Sequence, residues 1–349
     1  DLDEISDLFL KEAISAPNLF SDLAKVELYI AESYRTRSFI EIIQNADDAR
    51  ATVFKIESFG DSLLITNNGD LFTSTDIISL CRSGSSTKQR GDGRIGYRGI
   101  GFKSVAGIAK QIKIISGRTG FYFSKEKTKS ILDINTDVPL IRIPYKLTEE
   151  ELGIFKNRET HFIFSDLDNR IIDDEVKDFD IASMLFLSHI KRIIIKTKSS
   201  QFDYEKHTLD DDVVELKING SIASRWLIKG HSASRIGLKI DGVNIVPASD
   251  EESKIHSFLP TNEFSGANLK INGDFSTDPS RKSVDFDERS LSALHDCAML
   301  IFDLVVDSLN RKINFGIFSP FISAKNDKSR KLLLDALRRL FKKKIPLND

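Results

Sequence analysis

The run SFIEIIQNADDAR, at positions 38–50, restricts the folds open to this chain more than any other segment. A helix would place its small and apolar residues on one face: Phe39, Ile42, Ala46 and Ala49. It would place three polar residues on the opposite face, at the spacing i, i+4 and i+7: Glu41, Asn45 and Asp48. Ile40 and Ile43 lie between these faces. Much of this helix is therefore expected to be buried.

The carboxylate of Glu41 and the amide of Asn45 stand one turn apart on this helix. Burying such groups without partners costs about 1–3 kcal/mol for each group, so a ligand or a metal ion would have to supply the partners. The alternative is an amphipathic surface helix whose polar stripe is solvated, because polar faces usually meet water. The helix alone leaves both interpretations open.

Length and composition favour two packed domains. At 349 residues and 40% hydrophobic content, the chain exceeds the usual size of a single core. We expect a first domain over residues 1–170 and a second over residues 171–349. The net charge of -2 gives no global attraction to nucleic acids or acidic lipids, although the C-terminal stretch KSRKLLLDALRRLFKKK is locally basic.

The cysteine and histidine residues indicate a compartment rather than a metal site. Cys81 and Cys297 lie far apart, the six His residues show no metal-ligand spacing with either, and no apolar run could span a bilayer. No apolar leader is present, so we expect a soluble protein in the reducing cytoplasm with no membrane contact. The first residue is Asp1 rather than Met, which predicts a processed or excised chain.

The order of hydrophobic patterns predicts an α+β protein. Helices are expected up to residue 50, followed by strands at 51–59 and 61–68, a short helix at 74–84, a hairpin around Gly117 and a strand at 159–166. A helix over 174–190 leads into strands at 191–196, 212–218, 221–230, 235–242 and 267–272. Amphipathic helices at 288–312 and 326–343 complete the pattern.

Residues 84–109, GSSTKQRGDGRIGYRGIGFKSVAGIA, form a glycine-rich run. The GDGRIG within it follows polar residues rather than an apolar strand, so a dinucleotide-binding turn is disfavoured. A Walker phosphate loop is also disfavoured, because Phe102 stands where the lysine should follow the glycine. The glycines and a helix start near Phe102 suit a phosphate group. A flexible linker is the equal alternative.

Taken in this order, the segments resemble the GHKL superfamily, which includes gyrase, the ninety-kilodalton heat-shock chaperone, histidine kinases and MutL. The resemblance is greatest to its sacsin-like and chaperone-like members and covers residues 20–165. FIEIIQNADDA is similar to the N-box helix, ITNNGDLFT to the adenine motif, IGYRGIGFKS to the lid motif and ETHFIF to the late Thr strand. FLPT and INGDFSTDPSR, within residues 258–281, also resemble the region after the sacsin-like nucleotide domain.

The resemblance implies a fold and a role for each residue of the N-box. The fold would be a Bergerat α/β sandwich of helices on one mixed sheet, followed by a second α+β domain and C-terminal helices. Glu41 would orient and deprotonate the water that attacks the γ-phosphate. Asn45 would place its side-chain oxygen on Mg²⁺, which bridges phosphate oxygens. Asp48 would lie near the nucleotide or support the groups that contact it.

The lid motif would close over the phosphates through its flexible glycine backbone. The lid residues that the resemblance places at the nucleotide are Ser86, Thr87, Lys88, Gly96, Gly99, Ile100, Gly101 and Phe102. Lys88 would neutralise phosphate charge, although a loop lysine is more often solvated. Thr160 would complete the adenine pocket, although a strand Thr is by default a good β-former. Arg281 would reach the γ-phosphate from the second domain, although exposed turn cations are commonplace.

The adenine motif departs from the family at one position. An Asp normally accepts the exocyclic amine there, whereas this chain has Asn67, followed by Asn68 and Gly69. An Asn oxygen can still accept that hydrogen bond, but without charge it is expected to hold adenine less firmly.

The resemblance implies an ATPase that uses ATP and Mg²⁺ and couples lid closure to conformational change, a homodimer or a larger complex. It would serve a chaperone-like, bacterial defence or DNA-maintenance protein, and the sequence does not identify a client protein or nucleic acid partner. Intact Glu41 and Asn45 favour hydrolysis, while an interaction module that binds nucleotide without hydrolysis is the alternative. A protein-histidine kinase is a third option, but His189 and His295 lack the expected neighbours.

Overall fold

The computed structural model describes residues 1–33, 38–82, 102–103, 109–153, 155, 158–166, 174, 176–177, 179–210, 212–231, 233–278, 282–311, 319–322 and 327–344. The chain divides into two compact units. The first comprises Asp1–Phe179 and Ser188–Asp203, and the second comprises Asp180–Leu187 and Tyr204–Asp349. Both units contain helices and mixed sheet, so the α+β class is confirmed.

The first unit contains several helices, some of which begin at a polar cap. They are α1 (Leu2–Ser15), α2 (Pro17–Ser33), α3 (Ser38–Asp48), α4 (Ser74–Cys81), α5 (Lys125–Leu132) and α6 (Glu149–Leu152). Thr73 caps α4, because its hydroxyl accepts from the amide of Asp76 while the Asp76 carboxylate accepts from the amide of Thr73. The predicted helices before residue 50 and after residue 73 are confirmed.

The sheet of the first unit has the strand order β7-β1-β2-β6-β3-β4-β5. The strands are β1 (Val53–Phe59), β2 (Ser62–Asn67), β3 (Gln111–Ser116), β4 (Thr119–Ser124), β5 (Tyr145–Lys146), β6 (Thr160–Ser165) and β7 (Arg192–Lys196). β1 and β7 run parallel, and the other neighbours are antiparallel. The predicted hairpin is confirmed: Gly117 adopts a φ of 62° between β3 and β4, which glycine accommodates without strain.

The helix predicted over residues 174–190 is wrong in its second half. A 3₁₀ helix spans Ile181–Phe186, with the Asp180 side chain accepting from the amide of Ala182, and Leu187 is extended. The amides of residues 188–190 donate to the carboxylate of Asp47 instead of to carbonyls one turn earlier. A partner distant in sequence therefore ends the helix, and local periodicity could not predict this.

The second unit has the strand order β14-β13-β15-β11-β10-β9-β8, with β12 paired to β11. The strands are β8 (Gln201–Asp210), β9 (Val213–Ile218), β10 (Ser221–His231), β11 (Ser234–Asp241), β12 (Asn244–Ile245), β13 (Lys254–Ser257), β14 (Leu259–Phe264) and β15 (Lys270–Asn272). β13 and β15 run parallel. The strands predicted in this region are confirmed.

Helices α7 (Glu288–Arg311), α8 (Ser319–Ile322) and α9 (Lys328–Lys344) follow these strands, which confirms the two predicted C-terminal amphipathic helices. Their apolar faces meet the strands in one core, to which Ile236, Ile271, Leu294, Ile301 and Leu333 contribute. Among the helices that the structure describes, none is long and apolar enough to cross a membrane.

Candidate functional site

Helix α3 is buried on most of its surface, as its sequence predicts. Phe39, Ile42, Ile43 and Ala46 are buried, and the ring of Phe39 packs against Phe54 of β1 at a centroid distance of 6.1 Å. The same helix buries Glu41, of which 2% remains exposed. A solvated polar stripe is therefore wrong for this carboxylate.

Asn45 and Asp48 are half-buried and lie one and two turns beyond Glu41 on the same helix. A rise of about 1.5 Å per residue sets Glu41 and Asp48 about 10 Å apart along the axis. The three polar residues thus run from a buried to a half-buried position along α3.

Asp47, which sequence reasoning missed, fastens this helix to the chain beyond the 3₁₀ helix. Its carboxylate oxygens accept from the amides of Ser188 at 2.9 Å, His189 at 2.7 Å and Ile190 at 2.8 Å. Such charge-assisted bonds are stronger than neutral ones. The sequence shows Asp47 only as a second Asp beside Asp48, because the amides that bind Asp47 lie more than a hundred residues away. Of the adjacent pair, Asp47 is the anchor.

The turn after β2 lies directly against the end of α3. The amide of Asp70 donates to the carbonyl of Ala49 at 2.6 Å, and the amide of Gly69 donates to Asn67 Oδ1 at 3.1 Å. A Cβ added to Gly69 would lie 2.6 Å from the Ala49 carbonyl oxygen, closer than real contacts allow. Only glycine therefore permits this approach of backbone to backbone.

Asn68, next to the candidate residue Asn67, has a structural role. Its Oδ1 accepts from the amides of Thr52 and Val53, both at 2.9 Å, and its Nδ2 donates to the Thr52 hydroxyl at 2.8 Å. These bonds hold the start of β1 beside the turn after β2.

A row of polar residues crosses three neighbouring strands. Asn67 of β2 is opposite Thr160 of β6, which is opposite Ser116 of β3. The Thr160 and Ser116 hydroxyls lie 2.7 Å apart, and Ser116 Oγ accepts from the amide of Phe72 at 2.9 Å. All three row residues are buried. The strand register thus places two predicted site residues, Asn67 and Thr160, side by side. It also places Ser116, which sequence reasoning missed, next to Thr160.

Phe102 borders this row through aromatic contacts. Its ring lies 5.4 Å from the ring of Phe162, which is two residues from Thr160 and therefore on the same face of β6. Phe72 contacts Phe162 with a centroid distance of 6.1 Å. Phe102, Phe72 and Phe162 thus form an apolar surface beside the polar row.

Lys103 follows Phe102 but points into the protein. Its Nζ donates to the carbonyl of Ile141 at 3.2 Å, and 3% of the residue is exposed. Burial lowers the pKa of Lys103, and the charge of Glu27 opposes that shift. Glu27, on α2, accepts from the amides of Leu140 at 2.5 Å and Ile141 at 2.9 Å. Lys103 therefore has a structural role, because its Nζ ties the segment that carries Phe102 to the carbonyl of Ile141.

The other predicted phosphate contacts are the remaining lid residues and Arg281. Ser86, Thr87, Lys88, Gly96, Gly99, Ile100, Gly101 and Arg281 lie outside the described residues. His189 and His295 are both exposed, and His189 follows the 3₁₀ helix instead of lying within a helix as its surroundings predicted.

The described ranges contain two cysteines and several His, Asp and Glu side chains that bear on metal and thiol chemistry. Within them, no group of three or more His, Cys, Asp or Glu side chains is arranged to hold a metal ion. Cys81 and Cys297 are buried free thiols, and burial raises the pKa of each to about 12. Neither forms the thiolate that nucleophilic chemistry requires at neutral pH.

The chain is distantly similar to a much longer plant protein. The chain is 25% identical over 301 residues to Protein NO VEIN of Arabidopsis thaliana. The matched region covers 75% of this chain and 11% of that protein, so the chain corresponds to a small part of its relative. No protein-family model matches the sequence.

Proposed function

We propose that the first unit binds ATP with Mg²⁺ and hydrolyses it as a GHKL module of the Bergerat fold. One observation carries the proposal: the end of α3, the turn at Gly69 and the row Asn67, Thr160 and Ser116 adjoin in a single unit. The resemblance expects the N-box, the adenine motif and the late Thr strand to meet in this way.

The polar row fits an adenine base. An amide oxygen has two lone pairs, so the bond from Gly69 leaves Asn67 Oδ1 able to accept from the exocyclic amine. The Thr160 hydroxyl adds a second polar group in register with Asn67. The missing Cβ of Gly69 keeps the turn tight against α3. Phe102 and Phe72 offer apolar contact for the base.

The polar residues of helix α3 fit the phosphate end of the nucleotide. Bound MgATP supplies a phosphoanhydride bond and a cation that neutralises phosphate charge. Asn45 contributes an amide oxygen, which is a ligand that Mg²⁺ accepts. Glu41 contributes a carboxylate shielded from bulk water, suited to orient and deprotonate the attacking water. In a longer protein, the resulting cycle would drive conformational change or dimerisation of a chaperone-like, defence or DNA-maintenance machine.

The test compares nucleotide binding with turnover in the same variants. Glu41→Ala is expected to bind MgATP nearly as well as the unaltered protein while releasing phosphate at least about tenfold more slowly, because a general base acts in the transition state. Asn45→Ala is expected to weaken binding only when Mg²⁺ is present. Glu57→Ala is the matched control, because this carboxylate pairs with Lys196 at 3.6 Å on the same unit.

Calorimetry and phosphate-release assays give distinguishable results. Unchanged turnover in Glu41→Ala would refute the role of that carboxylate. Binding without turnover in the unaltered protein would support the interaction module that does not hydrolyse ATP. No MgATP binding at all would overturn the proposal.

A further inference from the structure

Helix α9 separates its apolar and basic residues on two faces. Leu333, Leu337 and Leu340 are buried in the core of the second unit, and the ring of Phe341 packs 4.8 Å from Phe302 of α7. The basic residues that the structure shows to be exposed on α9 are Lys328, which lies near the ring of Phe286, and five others: Lys331, Arg338, Arg339, Lys342 and Lys343. At about 100° per residue, these cations occupy an arc of about 140° roughly opposite the leucines.

Few negative charges compensate this cationic face, defined as Lys331, Arg338, Arg339, Lys342 and Lys343. Asp335 is the acidic residue of α9, and it pairs with Arg338 at 3.4 Å on the exposed side. Among the described residues, Lys331, Arg339, Lys342 and Lys343 make no ion pair with a carboxylate. The cationic face is therefore a local concentration of positive charge in a chain whose net charge is -2.

Two other basic residues of α9 have structural contacts. Arg330 donates from Nη2 to the carbonyl of Phe321 at 2.9 Å, and Lys328 lies 5.0 Å from the ring centroid of Phe286. The neighbouring α7 exposes acidic residues instead: Asp296, Asp303 and Asp307. Positive charge in this region is thus concentrated on the outer side of α9.

We propose that the cationic face binds the phosphodiester backbone of a nucleic acid. It extends over about 18 Å between Lys331 and Lys343, a length along which duplex DNA presents several phosphates on each strand. Lys and Arg side chains along one helix neutralise such a backbone without reading its sequence. This site is separate from the proposed ATPase function and does not depend on it.

The packing of α9 disfavours a membrane or an acidic protein. Helices that lie on membranes bury an apolar face in the lipid, whereas the leucines of α9 already pack in the protein core. Protein interfaces are centred on apolar or aromatic anchors, and the exposed side of α9 carries cations instead. A phosphate backbone needs only the charges.

The experiment measures binding of labelled duplex DNA, duplex RNA and single-stranded DNA of about 20 nucleotides per strand by fluorescence anisotropy between about 50 and 200 mM salt. The test variant combines Lys331→Gln, Arg338→Gln, Arg339→Gln and Lys342→Gln. The control variant combines Lys11→Gln, Lys127→Gln, Lys191→Gln and Lys198→Gln, which removes the same charge from exposed positions of the first unit. Vesicles of phosphatidylserine and phosphatidylcholine provide the membrane arm, and thermal unfolding verifies that both variants fold.

The unaltered protein is expected to bind at least one nucleic acid with an affinity that falls steeply with salt. For duplex DNA, the slope of log affinity against log salt should lose about 0.9 for each phosphate contact that the test variant removes. The affinity of the test variant at low salt should fall by tenfold or more, while the control variant retains the affinity and salt slope of the unaltered protein. Equal weakening in both variants, unchanged binding in the test variant, or binding to the vesicles but to no nucleic acid would overturn the proposal.

Discussion

Asn67 and Thr160 lie directly opposite each other on antiparallel strands β2 and β6, and both are buried. The Thr160 hydroxyl continues this pair to Ser116, 2.7 Å away on β3. Three segments that are distant in sequence therefore place their polar side chains in one row beside α3. Single substitutions in this row can therefore test whether it contributes to ligand binding.

Removing the Thr160 hydroxyl tests the polar row as a ligand site. Thr160→Val is expected to weaken ATP binding about tenfold, the effect of losing one hydrogen bond of about 1.4 kcal/mol. Thr66→Val is the matched control, because Thr66 precedes Asn67 and faces the other side of the sheet, where its hydroxyl lies 3.1 Å from His161 Nδ1. Calorimetric titration should show unchanged affinity in the control. Equal affinity in both variants and the unaltered protein would exclude Thr160 from the site.

The adjacent residues Asp47 and Asp48 are expected to separate stability from binding. Asp47→Ala removes the acceptor of three backbone amides, so the free energy of unfolding should fall by about 3 kcal/mol or more. Asp47→Asn should lose less, because its remaining oxygen can still accept from His189 and Ile190. Asp48→Ala should change stability by about 1 kcal/mol or less while weakening ATP binding.

Urea unfolding and nucleotide titration distinguish these two effects. If Asp48→Ala proves as destabilising as Asp47→Ala and binds ATP normally, the assignment of anchor and ligand is reversed.

Glu27 and Glu12 offer a matched pair on the N-terminal helices. Glu27 is buried and accepts from two backbone amides, whereas Glu12 is partly exposed and pairs with Arg142 at 2.7 Å. Glu27→Ala removes the carboxylate that both amides and nearby Lys103 face. The free energy of unfolding should therefore fall by about 2–5 kcal/mol. Glu12→Ala should cost about 1 kcal/mol, because Glu12 is partly exposed and the largely buried Arg142 keeps its hydrogen bond to the carbonyl of Cys81. Equal losses in chemical denaturation would contradict the buried anchoring role.

His256 predicts acid sensitivity in the second unit. It is fully buried, its ring packs 4.9 Å from Phe186, and neither ring nitrogen has a hydrogen-bond partner among the described residues. Burial, reinforced by the positive charge of Lys270, holds the pKa of His256 well below 6.5. The unfolded chain therefore binds a proton below pH 6.5 that the folded state does not. Stability is fully present above this pH and falls by up to about 1.4 kcal/mol per pH unit below it.

Urea unfolding between pH 7 and pH 5.5 checks this dependence. His256→Leu should lose the His256 contribution to the slope, whereas His295→Asn, a change at an exposed position of α7, should retain it. Identical slopes in all three proteins would show that another group titrates.

Local sequence was sufficient for most secondary structure in the described ranges. Alternating residues predicted β1, β2 and β6, Gly117 predicted the turn between β3 and β4, and helical periodicity predicted α3, α7 and α9. These features depend on neighbours along the chain, because side-chain periodicity and glycine conformation act over a few residues. The burial of much of α3 was predicted in the same way, from its apolar residues, whereas the helix alone left open whether Glu41 is buried or solvated.

Tertiary contacts decided the features that depend on distant partners. Periodicity predicted a helix through residue 190, but the carboxylate of Asp47 takes the amide hydrogens of residues 188–190. Helical spacing places Asp48 on the face of Glu41, but nothing local shows that Asp47 binds the amides of residues 188–190, and nothing local joins Ser116 to Thr160. Lys103 likewise follows a glycine-rich motif in sequence, yet its Nζ donates to the carbonyl of Ile141 inside the protein. Register and burial assign these roles, because a hydrogen bond depends on where its two atoms meet in space and not on their separation along the chain.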